Sequence, residues 1–111
     1  MTVRELAEKG IFKAVNIPDE AEREITSVFC CDLLSVAMGR APAGCAWVTV
    51  MGNVNTIAVA TLADAAVVIL AENASLDENA SEKAAQQGVS VLEAEMPIFD
   101  AALKVHELLG Q

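Results

Sequence analysis

Aromatic residues are scarce in this chain of 111 residues, which has no tyrosine, three phenylalanines and a single tryptophan, Trp47. A hydrophobic core must therefore be built mainly from Ala, Val, Leu and Ile, which the 54% of hydrophobic residues supply readily. Binding of nucleic acid by stacking bases on aromatic side chains is poorly supported, because too few such side chains are present.

Basic residues are also few. Seven Lys and Arg stand against sixteen Asp and Glu, which gives a formal net charge of −9. Such a chain repels the phosphate backbone and an anionic membrane surface, so we expect neither nucleic acid nor membrane as a partner. The simplest role of the acidity is to keep a small, apolar protein soluble.

Long apolar runs and the disulfide framework of a secreted protein are missing as well. No run approaches the roughly 20 residues that span a bilayer, and the N-terminal segment lacks the apolar core of a signal peptide. The three cysteines, Cys30, Cys31 and Cys45, are odd in number, and the adjacent pair would point to opposite faces of a strand. We therefore expect the cysteines to be small buried hydrophobic residues of a protein in the reducing cytoplasm. A redox role for Cys31 is the minor alternative.

The fold class is indicated by residues 65–71, which are apolar at every position. A run of this kind is typical of a strand buried on both faces in a parallel sheet that helices cover. The whole chain reads as helix, strand, strand, helix, strand, helix, strand, helix, strand, helix. From Cys45 onward, right-handed crossovers would make the strands parallel. We predict one α/β domain over residues 1–111, with a mostly parallel sheet of about five strands flanked by helices.

Turn and cap residues set the predicted limits. Thr2 is predicted to cap a helix over 2–9, and Asp32 is predicted to cap a helix that ends at Gly39. A third helix, over 54–62, is predicted to have Asn53 or Asn55 as its cap. The other predicted elements are strands at 11–15, 25–30, 45–51, 65–71 and 89–92, a polar turn at 16–22, and helices over 78–87 and after Pro97.

No constellation for catalysis is found. The single histidine, His106, falls in the last predicted helix, far from the other polar groups, where a structural or surface role is the usual one. Walker A, GxGxxG, zinc-ligand and calcium-loop patterns are absent. We predict no catalytic residue, no metal and no cofactor; an enzyme that uses Asp32 or Cys31 is a minor alternative.

Short polar residues gather near the ends of the predicted elements in the middle of the chain: Asp32, Ser35, Thr49, Asn53 and Asn55. In an open parallel sheet, ligands bind at the carboxyl ends of strands, where Asp32, Gly52, Asn53 and Asn55 fall, so the five polar residues are candidates for a ligand or partner site. Equally, Asp32, Asn53 and Asn55 could be helix caps that stabilise the fold by about 1 kcal/mol each. Capping does not explain Ser35 or Thr49.

A family resemblance rests on three segments: CDLLSVAM at 31–38, GCAWVTV at 44–50 and NTIAVA at 55–60. On these, the chain resembles the DRTGG domain family over nearly its whole length. The resemblance implies an α/β fold like the N-terminal domain of HPr kinase/phosphorylase, itself similar to a Mur-ligase N-terminal domain. It also implies an accessory, regulatory module that occurs alone or joined to phosphotransacetylase or CBS domains. The kinase P-loop belongs to a different domain, so kinase activity does not carry over.

The chain departs from the family at its naming motif. It reads Gly52-Asn53-Val54 where the family would place Gly-Asp-Arg, and Ala71-Glu72-Asn73 where Thr-Gly-Gly would follow the buried strand. An arginine that could hold a phosphate or carboxylate is therefore missing, which weakens the expectation of an anionic ligand.

Two functional hypotheses result. The first is a non-catalytic regulatory module that binds a small ligand or a protein partner through the polar residues at 32, 35, 49, 53 and 55. The alternative is a structural homodimer without a small-molecule ligand, joined through apolar helix faces. A homodimer is expected under both.

Overall fold

The chain was analysed in a computed structural model, which describes residues 1–19 and 21–111. In this part of the chain, five helices and five strands follow one another in the predicted order. They are α1 (Val3–Glu8), β1 (Lys13–Asn16), β2 (Ser27–Cys30), α2 (Leu34–Arg40), β3 (Cys45–Thr49), α3 (Val54–Ala63), β4 (Val67–Leu70), α4 (Glu78–Gln87), β5 (Val91–Glu93) and α5 (Ile98–Leu108).

The strands form one sheet in the order β1-β5-β4-β3-β2. Strands β2 to β5 are parallel to one another, and β1 pairs with β5 in the antiparallel direction. Each parallel pair is joined by a helix, as right-handed crossovers require. The prediction of a mostly parallel sheet flanked by helices is confirmed.

The sheet is covered on both faces. One core lies beneath α2, α3 and α4, and the other lies beneath α1 and α5. Successive residues of the central strands alternate between the cores, so Trp47 packs in the first and Val48 in the second, and both are fully buried. All four residues of β4 are likewise buried, which explains why residues 65–71 are apolar at every position.

Local signals placed several helix ends correctly. Thr2 and Glu5 form a capping box at the start of α1, Asn53 caps α3, and Gly88 in a left-handed conformation ends α4. No helix in residues 1–19 and 21–111 is long and apolar enough to cross a membrane.

Three predictions on helix ends and cysteines are wrong. Asp32 does not cap α2: Leu33 occupies the N-cap and forms no side-chain hydrogen bond. Gly39 does not end the helix, because its backbone stays helical and α2 continues to Arg40. Cys45 is buried as expected, but Cys30 is exposed, since it lies at the end of the edge strand β2.

The strand limits also differ from the predicted ones. β1 begins at Lys13, two residues later than expected, and β5 begins at Val91 because Val89 still bonds to Ala84 at the end of α4. Pairing between strands, rather than local composition, sets these limits. In the predicted turn at 16–22, Glu20 lies outside the described residues.

Candidate functional site

Asp32 and Thr49 meet at the carboxyl edge of the sheet. The Thr49 hydroxyl donates to Asp32 Oδ1 over 2.6 Å, and the backbone N–H of Val50 donates to the same oxygen over 2.9 Å. The Thr49 hydroxyl oxygen also accepts from the backbone N–H of Met51 over 3.3 Å. Thr49 is fully buried, whereas Asp32 is exposed. The carboxylate thus ties the segment after β2 to the end of β3.

Asn53 and Asn55 have different environments although both stand at the start of α3. The Asn53 side-chain oxygen accepts from the backbone N–H of Thr56 over 3.1 Å, which is the bond of an N-cap. Asn55 is exposed in the first turn, as Ser35 is in the first turn of α2. Within residues 1–19 and 21–111, neither the Asn55 nor the Ser35 side chain forms a hydrogen bond.

The five predicted residues therefore divide into two groups. Asp32, Thr49 and Asn53 make bonds that hold the fold together, and these bonds explain their side chains without a ligand. Ser35 and Asn55 follow the carboxyl ends of the neighbouring strands β2 and β3 with unused hydrogen-bonding groups. These two are the residues on which a binding role can be tested without a structural side effect.

The loops of this edge are held at close distance. The backbone N–H of Asp77 donates to the carbonyl of Gly52 over 2.9 Å. A Cβ atom at Gly52 would lie 2.0 Å from the carbonyl oxygen of Ser75, a distance that no side chain tolerates. Only glycine fits here, so the β3–α3 and β4–α4 loops form one packed surface.

A cavity of about 730 Å³ lies farther along the same edge. It is bounded by the turn before β1, the loop after β4 and the end of β5, and its polar lining residues are Lys13, Asn73, Glu93 and Glu95. The cavity forms where α4 follows β4 to one face of the sheet and α5 follows β5 to the other. None of these four residues was among the predicted site residues, although Asn73 and Glu93 also lie at strand ends, because the prediction was confined to polar residues in the middle of the chain.

Two residues of the loop after β4 adopt a left-handed backbone conformation. Glu72 and Asn73 have φ values of 59° and 62°, in the left-handed region that favours glycine. These are the positions where the family resemblance would place two glycines. Their N–H groups donate to Met96 and Ala94 across the cavity edge, over 2.9 Å each. Hydrogen bonds between the loops thus hold a conformation that costs about 1–2 kcal/mol for a residue with a side chain.

Two of the three cysteine thiols, Cys30 and Cys45, are poorly suited to nucleophilic chemistry. Burial raises the pKa of the Cys45 thiol to about 11, and burial together with the Asp32 carboxylate raises the pKa of Cys30. Both thiols are therefore protonated and weakly nucleophilic at neutral pH. In the described part of the chain, no three His, Cys, Asp or Glu side chains come close enough to hold a metal ion. The arrangement offers hydrogen bonds to a bound group.

Comparison with known proteins gives a likeness of fold. No family model matches the chain, and no curated protein matches it in sequence. Among solved structures, the CBS and DRTGG domains of the regulatory region of Clostridium perfringens pyrophosphatase match with a TM-score of 0.74 and 12% sequence identity. That structure is complexed with the activator diadenosine tetraphosphate; the match covers 92% of this chain and 44% of the pyrophosphatase chain. The chain thus has a DRTGG-like α/β fold, similar to a regulatory region of an enzyme.

Proposed function

We propose that this chain is a non-catalytic regulatory module of DRTGG type that works in the cytoplasm. It binds a small ligand or a protein partner at the carboxyl edge of its sheet, through Asp32, Ser35, Thr49, Asn53 and Asn55. The module needs no cofactor and binds neither nucleic acid nor membrane. The further likeness to the N-terminal domain of HPr kinase/phosphorylase stays a prediction.

The observation that carries the proposal is the pair of free polar side chains at this edge. Ser35 and Asn55 stand in the first turns of two helices that follow adjacent parallel strands, β2 and β3. The fold supports a regulatory role, because the similar pyrophosphatase region is regulatory and is complexed with an activator. The raised pKa values of the Cys30 and Cys45 thiols make these two side chains weak nucleophiles, which favours binding over covalent catalysis.

The chemistry of the edge favours a ligand that is recognised by hydrogen bonds. The groups on offer are a hydroxyl, two amides and one carboxylate, and from Leu33 to Ala63 the chain carries a single charged residue, Arg40, at the far end of α2. Lys13, a cation of this edge, lies at the cavity with Glu93 and Glu95 and outside the stretch 33–63, and a polyphosphate would meet a chain of net charge −9. A neutral polar compound such as a nucleoside fits better than its phosphorylated form.

A thermal-shift screen tests the proposal. It would compare nucleosides, the corresponding nucleotides with and without Mg²⁺, and acyl metabolites. A ligand at about 100 times its dissociation constant stabilises the native state by about 2.7 kcal/mol, a shift of several degrees for this size. We expect the shift to disappear in Ser35→Ala and Asn55→Ala, whose own stability stays unchanged.

Matched control variants are Ser81→Ala and Gln86→Ala, which remove an exposed hydroxyl and an exposed amide from α4. They should keep the ligand-induced shift. A shift that survives Ser35→Ala and Asn55→Ala but is lost in Asn73→Ala would move the ligand to the cavity. It would contradict the proposed site while leaving the regulatory role in place.

The alternative of a structural homodimer without a ligand stays a prediction as well. It is favoured by apolar side chains on the outer face of α3, where Val54 is 37% and Leu62 is 72% exposed. If the screen finds no ligand and sedimentation shows a dimer, this alternative replaces the regulatory module.

A further inference from the structure

The cavity beside β5 has the position and size of a ligand site, although it contains none of the residues of the proposed function. It lies where α4 follows β4 to one face of the sheet and α5 follows β5 to the other. Open α/β sheets bind ligands in the crevice at such a point. Small-molecule sites enclose about 300–1,000 Å³, so a cavity of about 730 Å³ has room for a compound of low molecular mass.

The walls of the cavity are held together without a ligand. The backbone N–H of Asn73 donates to the carbonyl of Ala94 over 2.9 Å, which ties the loop after β4 to the segment after β5. On the other side, Lys13 at the start of β1 is paired with Glu93 at the end of β5 in antiparallel register. A pre-formed site spends little free energy on ordering its own groups when a ligand binds.

Charged side chains of both signs line the cavity. Lys13 lies directly opposite Glu93, where Cβ atoms are about 5 Å apart, and Glu95 adds a second carboxylate. Among residues 1–19 and 21–111, no ion pair includes any of these three side chains. Their ammonium and carboxylate groups can therefore bind a ligand that carries both charges.

Apolar side chains form the rest of the lining. Phe12 is 3% exposed, and Ile11 and Met96 are half-buried. An apolar group that covers these side chains is removed from water, which favours binding. The lining thus combines an apolar wall with one positive and two negative side chains, a set that a polyphosphate or a simple cation would match only in part.

We propose that this cavity binds a free α-amino acid with an apolar side chain. The carboxylate of the amino acid accepts a hydrogen bond from the Lys13 ammonium group, and its own ammonium group donates to the Glu93 carboxylate. Its side chain lies against Ile11 and Phe12. An α-amino acid carries its two charges on neighbouring atoms of one short chain, as the cavity carries Lys13 and Glu93 at neighbouring positions of two strands. This site is separate from the ligand site of the proposed function.

Calorimetric titration of the full chain with L-leucine, L-methionine and L-phenylalanine tests the proposal. Two analogues of L-leucine each lack one charge: N-acetyl-L-leucine has no ammonium group, and L-leucinamide has no carboxylate. Loss of one charge-assisted hydrogen bond weakens binding by about 10- to 100-fold, so we expect both analogues to bind that much more weakly than L-leucine. Absence of binding by all three amino acids, or analogues that bind as tightly as L-leucine, would overturn the proposal.

Two variants assign the charges to their partners. Lys13→Gln should weaken the binding of L-leucine by about 10- to 100-fold but leave the thermal shift given by L-leucinamide unchanged, because that analogue has no carboxylate for Lys13 to bind. Glu93→Gln should likewise weaken L-leucine and leave the shift given by N-acetyl-L-leucine unchanged. Binding of L-leucine at the wild-type affinity in both variants would contradict the site.

Control variants separate the cavity from a general effect of charge and from the proposed function. Lys104→Gln and Glu107→Gln remove the same charges from exposed positions of α5 that do not line the cavity, and should bind L-leucine as the wild type does. Ser35→Ala and Asn55→Ala should also keep this binding; its loss there would move the amino acid to the other site and overturn the inference. A nucleoside-induced shift that persists in Lys13→Gln would support two separate sites.

Discussion

The bond between Asp32 and Thr49 offers the sharpest test of how the carboxyl edge is held. Asp32→Ala removes the acceptor of a hydroxyl that is fully buried and of the Val50 N–H. A buried hydrogen-bond donor left without an acceptor costs about 1–3 kcal/mol, and bonds to a charged group lie toward the upper end. The Val50 N–H can turn to water, because Val50 is only half-buried. We expect a loss of about 2 kcal/mol in the free energy of unfolding.

Thr49→Val provides the other half of a double-mutant cycle. It removes the hydroxyl at nearly constant volume, and the exposed Asp32 carboxylate can then bind water, so a loss of about 1 kcal/mol is expected. In the double variant no orphaned hydroxyl remains. The double variant should therefore lose less stability than the sum of the two single losses, which corresponds to a coupling energy of about 1–2 kcal/mol.

Urea unfolding followed by fluorescence of the buried Trp47 measures these values, and thermal unfolding should show a drop of several degrees for Asp32→Ala. Glu82→Ala, an exposed carboxylate on α4, is the matched control and should change stability by less than about 0.5 kcal/mol. An Asp32→Ala variant as stable as this control, or additive losses in the double variant, would refute the structural role of the bond.

Further predictions concern glycines, caps and pH. Gly52→Ala should lower the free energy of unfolding by about 3 kcal/mol in urea titrations, because its Cβ would lie 2.0 Å from a carbonyl oxygen. Gly39→Ala should raise the free energy of unfolding by about 0.5–1 kcal/mol, because position 39 has a helical backbone and open space for a Cβ atom. Asn53→Ala should cost about 1 kcal/mol as a lost N-cap in the same titration, whereas Asn55→Ala should be neutral; equal losses would contradict the assignment. Because burial raises the pKa of Cys45 from 9.0 to about 11, its contribution to stability is complete below pH 9 and is lost as pH rises toward 11. Cys45→Ala should show a smaller loss of stability over this range, and an unchanged pH dependence would refute the shift.

Prediction from the sequence worked best where the determining contacts are local. The start of α4 at Glu78 and its end before Gly88 depend on neighbours within one or two turns, and the predicted limits agree with the structure. It failed at Asp32, because the choice between capping α2 and bonding to the end of β3 depends on a residue 17 positions away. Asp32 is a residue type that commonly caps helices, but in the structure its carboxylate accepts hydrogen bonds from Thr49 and Val50 instead.

The candidate site was predictable only in part for the same reason. The sequence grouped Asp32 and Thr49 as candidate residues near the ends of elements, and the structure joins them by a hydrogen bond, although Thr49 was predicted to lie within the strand at 45–51. The cavity beside Asn73 and Glu93 depends on β1 pairing with β5 and on α4 and α5 covering opposite faces. No local pattern contains that information.

The sequence by itself determined the order of helices and strands, the burial of the central strands on both faces and most helix ends. The physical reason is that apolar periodicity and capping act over a few residues along the chain. Only the tertiary structure decided which strands stand at the edges, where β1 and β5 begin, and which polar side chains keep unused hydrogen bonds. These features follow from pairings between segments far apart in the chain: Asp32, for example, bonds to Thr49, 17 residues farther along, and does not cap the helix next to it.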